Sequence, residues 1–596
     1  MINFPRPDIE QYLRSFAITH FTVSPDESSL VFNTNLSGEM NLWKMDLPNQ
    51  FPYQVSFHNE NSHIVSYDPE KRYLLTGIDH DGDENYQIYA LPINGGVPLP
   101  VVTGERNEKF YYGHLSEDGE RIYYTTNKNN PTFLNIRIYN LKTEEDTMLF
   151  KGDEAPCFLE AVSPDEETFI YLQAYANTYQ LLYVHKDGES LPLTPDPKAV
   201  HTTSSPVYMD NQTVYFVTNY QSKFSYLASF NLETKTFKEV LKIDGREMTD
   251  LVYHKESKTV YLVAEHGVVD ELYAYDVETG QFSEIDIPIH TINQLKVAKS
   301  GNLYLLGNSA VEPSNIYQKE IGKEWVALSN NRVMGVSSDE LVNPEIVTYK
   351  SYDDTPIESL FFKANPEVTN GYTVFWPHGG PQSSERKSYR SYFQFLTGIG
   401  YNVFAPNFRG STGYGAEFVK LVEQDWGHGP RLDCVEGIKW LFENGYSDRE
   451  HLFLLGGSYG GYMSLLLAGR HPDYFRAVVD IFGPSDLFSF YNSVPEEWKP
   501  IMKLWLGDPE KDRERFIKDS PITYLDGMKK PMLIIQGAND PRVVKKESDQ
   551  IVEALRGKDV EVEYLVMENE GHGFSKKENE VKAFRMIADF FEKYQS

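Results

Sequence analysis

The sequence predicts two joined architectures: an N-terminal seven-bladed β-propeller, and a C-terminal α/β-hydrolase unit with a mainly parallel sheet covered by helices. Three observations predict this. A strand-rich pattern recurs seven times between about residues 18 and 325. From about 340 onward apolar strands alternate with helix-length runs. A length of 596 residues is too great for one core.

Asp8 to Ala17 reads as a short helix within an N-terminal extension, 1–17. The repeats follow. Each opens on a polar turn, continues into an aromatic strand, and ends on a second strand with an aromatic-X-hydrophobic group. Ser24-Pro25-Asp26 precedes Leu30-Val31-Phe32. Ser116-Glu117-Asp118-Gly119 precedes Ile122-Tyr123-Tyr124, and Ser163-Pro164-Asp165 precedes Phe169-Ile170-Tyr171. The spacing is roughly 43–48 residues, the period of a β-propeller, in which each blade buries its faces against its neighbours. The segment from Gly322 to Asp339 reads as a connector. The α/β unit spans 340–596, with helices expected near Tyr389–Thr397, Arg431–Asn444, Glu547–Arg556 and Asn579–Lys593.

Composition excludes several classes. Lys and Arg number 56 against 87 Asp and Glu, a net charge of −31, which opposes nucleic-acid binding. Two cysteines, Cys157 and Cys434, lie too far apart for a metal or redox motif and suit a reducing compartment. No apolar run reaches 18 residues and the start has no signal-peptide pattern, so a cytoplasmic location without a membrane span is expected. No cofactor or metal is expected.

The chemistry centres on Gly456-Gly457-Ser458-Tyr459-Gly460. The run Leu452-Phe453-Leu454-Leu455 leads in as a strand and Met463 to Ala468 leads out as a helix. G-x-S-x-G at a strand-to-helix turn is the nucleophile elbow of an α/β-hydrolase, with the hydroxyl projected from the sheet. A serine nucleophile needs a base, and the base needs an orienting carboxylate. Asp540 follows the strand Met532–Gln536. His572 follows the strand Val562–Val566, between two glycines. The order Ser458, Asp540, His572 is the hydrolase order. The N–H of Tyr459 is one oxyanion donor. Gly380, and after it Gly379, in Trp376-Pro377-His378-Gly379-Gly380-Pro381, is the candidate second donor. Phe482, Phe488 and Phe490 are candidates for an apolar pocket holding the residue before the scissile bond.

His378-Gly379-Gly380-Pro381, Asn407-Phe408-Arg409-Gly410-Ser411-Thr412-Gly413-Tyr414-Gly415, the elbow, and Gly571-His572-Gly573-Phe574 together resemble the prolyl oligopeptidase family of serine peptidases, and within it the acylaminoacyl-peptidase branch. The resemblance covers the C-terminal part in motif and the propeller in architecture. It implies that Ser458, Asp540 and His572 form a triad and that Tyr459 with Gly379-Gly380 holds the oxyanion. It implies that Arg542 binds a substrate carbonyl, although Arg542-Val543-Val544 stands where the family often has Arg-Val-Pro. It also implies a serine peptidase acting on short, N-acylated peptides, with the propeller screening access, and often a dimer or larger assembly. Dipeptidyl aminopeptidase and carboxylesterase are alternatives on the same scaffold. A peptide-binding propeller with an inactive hydrolase is the non-enzymatic one. A dipeptidyl enzyme needs carboxylates for a free amine. Glu144-Glu145 is the tempting pair but falls in what reads as a solvated hairpin turn.

Overall fold

A computed structural model describes residues 6–48 and 50–595. Residues 1–5 of the expected N-terminal extension lie outside them. The helix of that extension is short, Ile9–Leu13, and is capped by Asp8, whose carboxylate accepts from Glu10 N–H.

Seven separate four-stranded antiparallel sheets follow, at 18–54, 62–102, 110–151, 157–192, 203–241, 247–285 and 291–327. Each uses four consecutive strands. The recurring turn has a physical basis. The Ser24, Ser116 and Ser163 hydroxyls donate to Asp26, Asp118 and Asp165 at 2.7, 2.5 and 2.7 Å. Each serine oxygen also accepts the N–H of the residue five positions on. This closes the first hairpin of the blade and exposes only its acidic tip. Blades 1 and 7 exchange no strand among the described residues. They join through a shared core of Ile18, Phe21, Leu30, Tyr304 and Ile316. Asn331 then ties the last blade to Phe16 from both sides of its amide.

The fourth strand of each blade was not apparent in the sequence reading. One of them corrects it: Trp325–Ala327 is the outer strand of blade 7, inside the stretch expected to be connector. These outer strands are short and half-exposed, so hydrophobic alternation does not mark them.

The C-terminal sheet has eight strands. They are β1 (Glu345–Lys350), β2 (Pro356–Phe362), β3 (Thr373–Phe375), β4 (Asn402–Pro406), β5 (Leu452–Gly457), β6 (Val478–Ile481), β7 (Met532–Gly537) and β8 (Val562–Met567). Their spatial order is β1-β2-β4-β3-β5-β6-β7-β8. β2 pairs antiparallel with both β1 and β4, and all the remaining neighbours pair parallel. Period-2 alternation in β5 supplies two layers. Leu452 and Leu454 pack with the helices Gly429–Glu443 and Tyr459–Arg470. Phe453 and Leu455 pack with Ser391–Gly398 and Lys577–Lys593. Parallel strands bring the C-terminal ends of β5, β7 and β8 to one edge, and the propeller covers that edge.

Phe453 is fully buried, stacked on Phe591 at 4.5 Å and on Tyr372 at 5.2 Å. Phe453→Ala removes both contacts beneath the elbow, and denaturant unfolding should show a loss of about 3–5 kcal/mol.

Candidate active site

Ser458 sits at the tip of the β5-to-helix turn with φ 58° and ψ −122°. A non-glycine residue there is strained, and the surrounding close contacts impose it. A Cβ on Gly456 would lie 2.2 Å from Gly460 O, and one on Gly460 would lie 2.1 Å from Pro377 O. The two glycines of the motif are therefore required by backbone approach.

The three candidate residues converge. His572 Nε2 lies 2.9 Å from Ser458 Oγ, and His572 Nδ1 lies 2.6 Å from Asp540 Oδ2. The other Asp540 oxygen accepts the N–H groups of Arg542 and Val543, both at 2.9 Å. Those bonds lock the carboxylate toward the imidazole. With the proton on Nδ1, Nε2 is left as the acceptor facing the hydroxyl, the arrangement a general base requires.

Two amides face the same space. Neither the Tyr459 N–H nor the Gly380 N–H has an acceptor among the described residues. Gly380 and Tyr459 line one cavity with Ser458 and His572. Gly379 backs onto the elbow, where an added Cβ would meet Gly457 O at 3.3 Å and Ser458 Cβ at 3.5 Å. Gly380 has φ +129°, which favours glycine.

The role of His378 was missed in the sequence, where it was only the first letter of a glycine motif. Its ring is buried and stacks on Phe408 at 4.1 Å. Burial depresses its pKa to about 4, so the ring is neutral at pH 7. Its Nδ1–H donates to Gly379 O at 2.7 Å, and its Nε2 lies 2.8 Å from Ser411 Oγ. In a planar trans peptide, fixing Gly379 O on one side turns the Gly380 N–H to the other.

The cavity beside Ser458, about 120 Å³, is walled by Trp426, Phe490, Trp498, Trp505 and Val543. Of the three phenylalanines proposed from sequence only Phe490 lines it. Phe488 faces away, packed on Phe516 at 5.2 Å with the Arg513 guanidinium over its ring. On the helix Leu487–Ser493 it lies two positions from Phe490, and so on another face. Phe482, with φ 44°, lies against the imidazole of His572 at 4.5 Å and supports that ring instead of lining the pocket. Trp426, Trp498 and Trp505 gave no sequence signal. They come from a loop and from the short helices that follow β6.

Arg542 lines this cavity and pairs with Glu84 of blade 2 at 2.9 Å. Glu84 and Asp79 line a second cavity of about 250 Å³, which also reaches His572 and Phe574. Asp79 is 5% exposed and its Oδ1 has no hydrogen-bond partner. Burial, then the nearby Asp83 and Glu60 carboxylates, raises its pKa to about 7. Glu144 and Glu145 are exposed at a hairpin turn of blade 3. Glu60, His80 and Asp81 bring donor atoms within 4.8 Å of one another, but the Lys576 ammonium lies 2.6 Å from Asp81 and already supplies a cation. Among the described residues no helix is long and apolar enough to cross a membrane.

The blade-2 loop also touches the His572 loop through backbone. A Cβ on Gly571 would lie 2.0 Å from Gly82 O, and one on Gly82 would lie 2.6 Å from Gly571 N.

Residues 387–596 match the model of the prolyl oligopeptidase family. Along most of its length the chain is similar to dipeptidyl aminopeptidase BIII of Pseudoxanthomonas mexicana, 28% identical over 96% of this chain and 85% of that one. It is 29% identical to the acylamino-acid-releasing enzyme of Arabidopsis thaliana over 40% of this chain and 33% of that one. Its fold superimposes on a puromycin-hydrolyzing peptidase of Mycobacterium tuberculosis with a TM-score of 0.86, covering 99% of this chain and 97% of that one at 17% identity.

Two substitutions test this geometry. Gly571→Ala should lower kcat at least tenfold in steady-state assays while circular dichroism stays unchanged, because the new methyl displaces the His572 loop from blade 2. Ser458→Gly relieves the backbone strain and should be about 1 kcal/mol more stable than Ser458→Ala in thermal unfolding.

Proposed function

We propose that this chain, a serine peptidase of the prolyl oligopeptidase family, releases short units from the free N-termini of peptides, dipeptides first, through a Ser458–His572–Asp540 triad. Ser458 Oγ attacks the scissile carbonyl as His572 Nε2 takes its proton. Asp540 steadies the imidazolium. The oxyanion accepts the Tyr459 and Gly380 N–H groups, which need no rearrangement to meet it. His572 then protonates the leaving amine, and water repeats the sequence on the acyl-enzyme.

One observation carries the choice of a free amine: the Glu84 and Asp79 carboxylates, which border a cavity that runs to His572. An acyl residue in the aromatic pocket leaves the preceding residue beside Arg542 and Glu84. Its carbonyl suits the guanidinium, and its ammonium suits the carboxylates. The similarity to a dipeptidyl aminopeptidase over nearly the whole chain supports this reading. A second reading, release of an N-acylated residue, rests on Arg542. It is a cation at the cleft, 44% exposed, and suits an acyl oxygen.

Matched anilides separate the two. Gly-Phe- and Ala-Ala-type substrates with a free amine should have kcat/KM at least tenfold above their N-acetyl counterparts; the opposite ranking would establish the second reading. Glu84→Gln should raise KM for the free-amine member about tenfold and leave the acetylated member within twofold. Ser458→Ala should lose turnover and fluorophosphonate labelling together.

The pH dependence has a definite sign. Asp79 has a folded pKa raised to about 7, so its carboxylate becomes available to an ammonium only as pH rises through that value. KM for free-amine substrates should fall between pH 6 and 7.5, then rise as the substrate amine deprotonates near 8. KM for acetylated substrates should lack this fall. Stability runs the other way. Burying Asp79 costs nothing below its unfolded pKa of about 4, and the penalty grows as pH rises through about 7. Asp79→Asn should therefore raise Tm at pH 8 while raising KM.

A further inference from the structure

The cavity beside Ser458 is not built by the hydrolase alone. Phe490, Trp498 and Trp505 belong to a lid of short helices, Leu487–Ser493, Glu496–Trp498 and Lys499–Trp505. Trp505 meets Trp426 edge to face at 4.8 Å, and Trp498 meets Trp505 at 6.2 Å. Trp498 and Trp505 line the inner cavity of about 120 Å³ and also an outer one of about 250 Å³, which they share with Asn177, Ile501 and Met502. The two indoles are thus the wall between the chambers.

What holds this wall comes from the other domain. Glu497, the residue before Trp498, is 7% exposed. Its carboxylate lies 2.5 Å from the Nζ of Lys109, which is equally buried at the entry to blade 3. The Lys109 backbone is itself fixed, since its N–H donates to Asn127 Oδ1 at 2.7 Å. The next helix, Lys499–Trp505, rests against the blade-4 strand Phe169–Ala176.

We propose that Lys109, 349 residues from Ser458 in the chain, is a specificity-determining positioning residue. Through Glu497 it holds the Trp498 wall and so limits the bulk of the acyl group that Ser458 accepts. A buried carboxylate stripped of its paired cation is strongly disfavoured. The short Glu496–Trp498 turn relieves this by carrying Glu497 toward water, and Trp498 moves with it. The inner chamber then opens into the outer one. Replacing both charges by apolar groups removes the driving force and returns the wall.

The inference rests on Ser458 acting as the nucleophile, but not on whether the substrate amine is free. p-Nitrophenyl esters from acetate to decanoate read the acyl pocket in either case. The wild type should prefer short chains. Lys109→Met should change the octanoate-to-butyrate ratio of kcat/KM at least tenfold in favour of octanoate, mainly through KM. Fluorophosphonate labelling of Ser458 should stay within twofold. Lys109→Met with Glu497→Met should restore the wild-type profile. Lys109→Gln, which keeps a long side chain and removes the cation, should shift the profile the same way and serves if Lys109→Met does not fold. An unchanged profile in the folded single variants overturns the proposal. So does an equal loss for all chain lengths with labelling also lost, since the pair would then hold the triad and not the wall.

Discussion

The His572 loop lies between two surfaces that leave no room for a side chain. On one side the strand β7 ends so close that a Cβ on Gly537 would lie 2.1 Å from Gly571 O. On the other, Gly82 of the propeller meets the Gly571 backbone directly. Backbone packed on backbone is stiff and tolerates no slack. The base of the proposed triad is therefore positioned by both domains at once. Around this contact lie ionic ties, Lys576 to Asp81 at 2.6 Å and Arg542 to Glu84 at 2.9 Å. Across the ring, Arg386 pairs with Asp270 at 2.6 Å and with Glu265 at 3.2 Å. The propeller is thus a structural component of the site.

The same blade-2 loop also carries the carboxylates on which the proposed free-amine preference rests. Asp79 and Glu84 stand on opposite sides of the Gly82 contact in sequence, so the segment that seats the histidine also presents carboxylates to the cleft. Asp79 keeps a buried oxygen without a partner, which disfavours the folded state. Under the proposed function, the ammonium of a substrate is the partner this oxygen lacks.

Much of this was legible in the sequence, and the limits have physical reasons. Ser458, Asp540 and His572 each follow a strongly apolar strand, and parallel strands deliver their ends to one edge, so chain order alone brought the three together. The seven repeats were legible because a polar turn precedes an aromatic strand in each blade, and in blades 1, 3 and 4 that turn is closed by the same Ser–Asp pair. The outer strand Trp325–Ala327 was not, since a short half-exposed strand carries no alternation. The pocket was misjudged at Phe488 because aromatic residues two apart on a helix cannot both face it. Trp426, Trp498 and Lys109 were invisible for a different reason. Their roles arise from contacts between separate segments, Trp426 with Trp505 and Lys109 with Glu497, 388 positions away, and no local pattern encodes such contacts. Glu84 and Asp79 share that invisibility, whereas Glu144-Glu145 drew attention by adjacency and stands exposed.

Blades 1 and 7 meet side chain to side chain, with no shared strand among the described residues to latch the ring. The chain leaves this seam at both ends straight into the hydrolase. Ile9, Tyr12 and Leu13 before the ring, and Val333 after it, sit in one cluster with Phe395, Phe584 and Ile587. Asp8 adds an ion pair to Arg585 at 3.1 Å. The hydrolase is in effect the clasp of an otherwise open bracelet. Neither half is then an autonomous folding unit in the usual modular sense: melting the clasp frees both ends of the ring, and the two domains are bound to lose their order together.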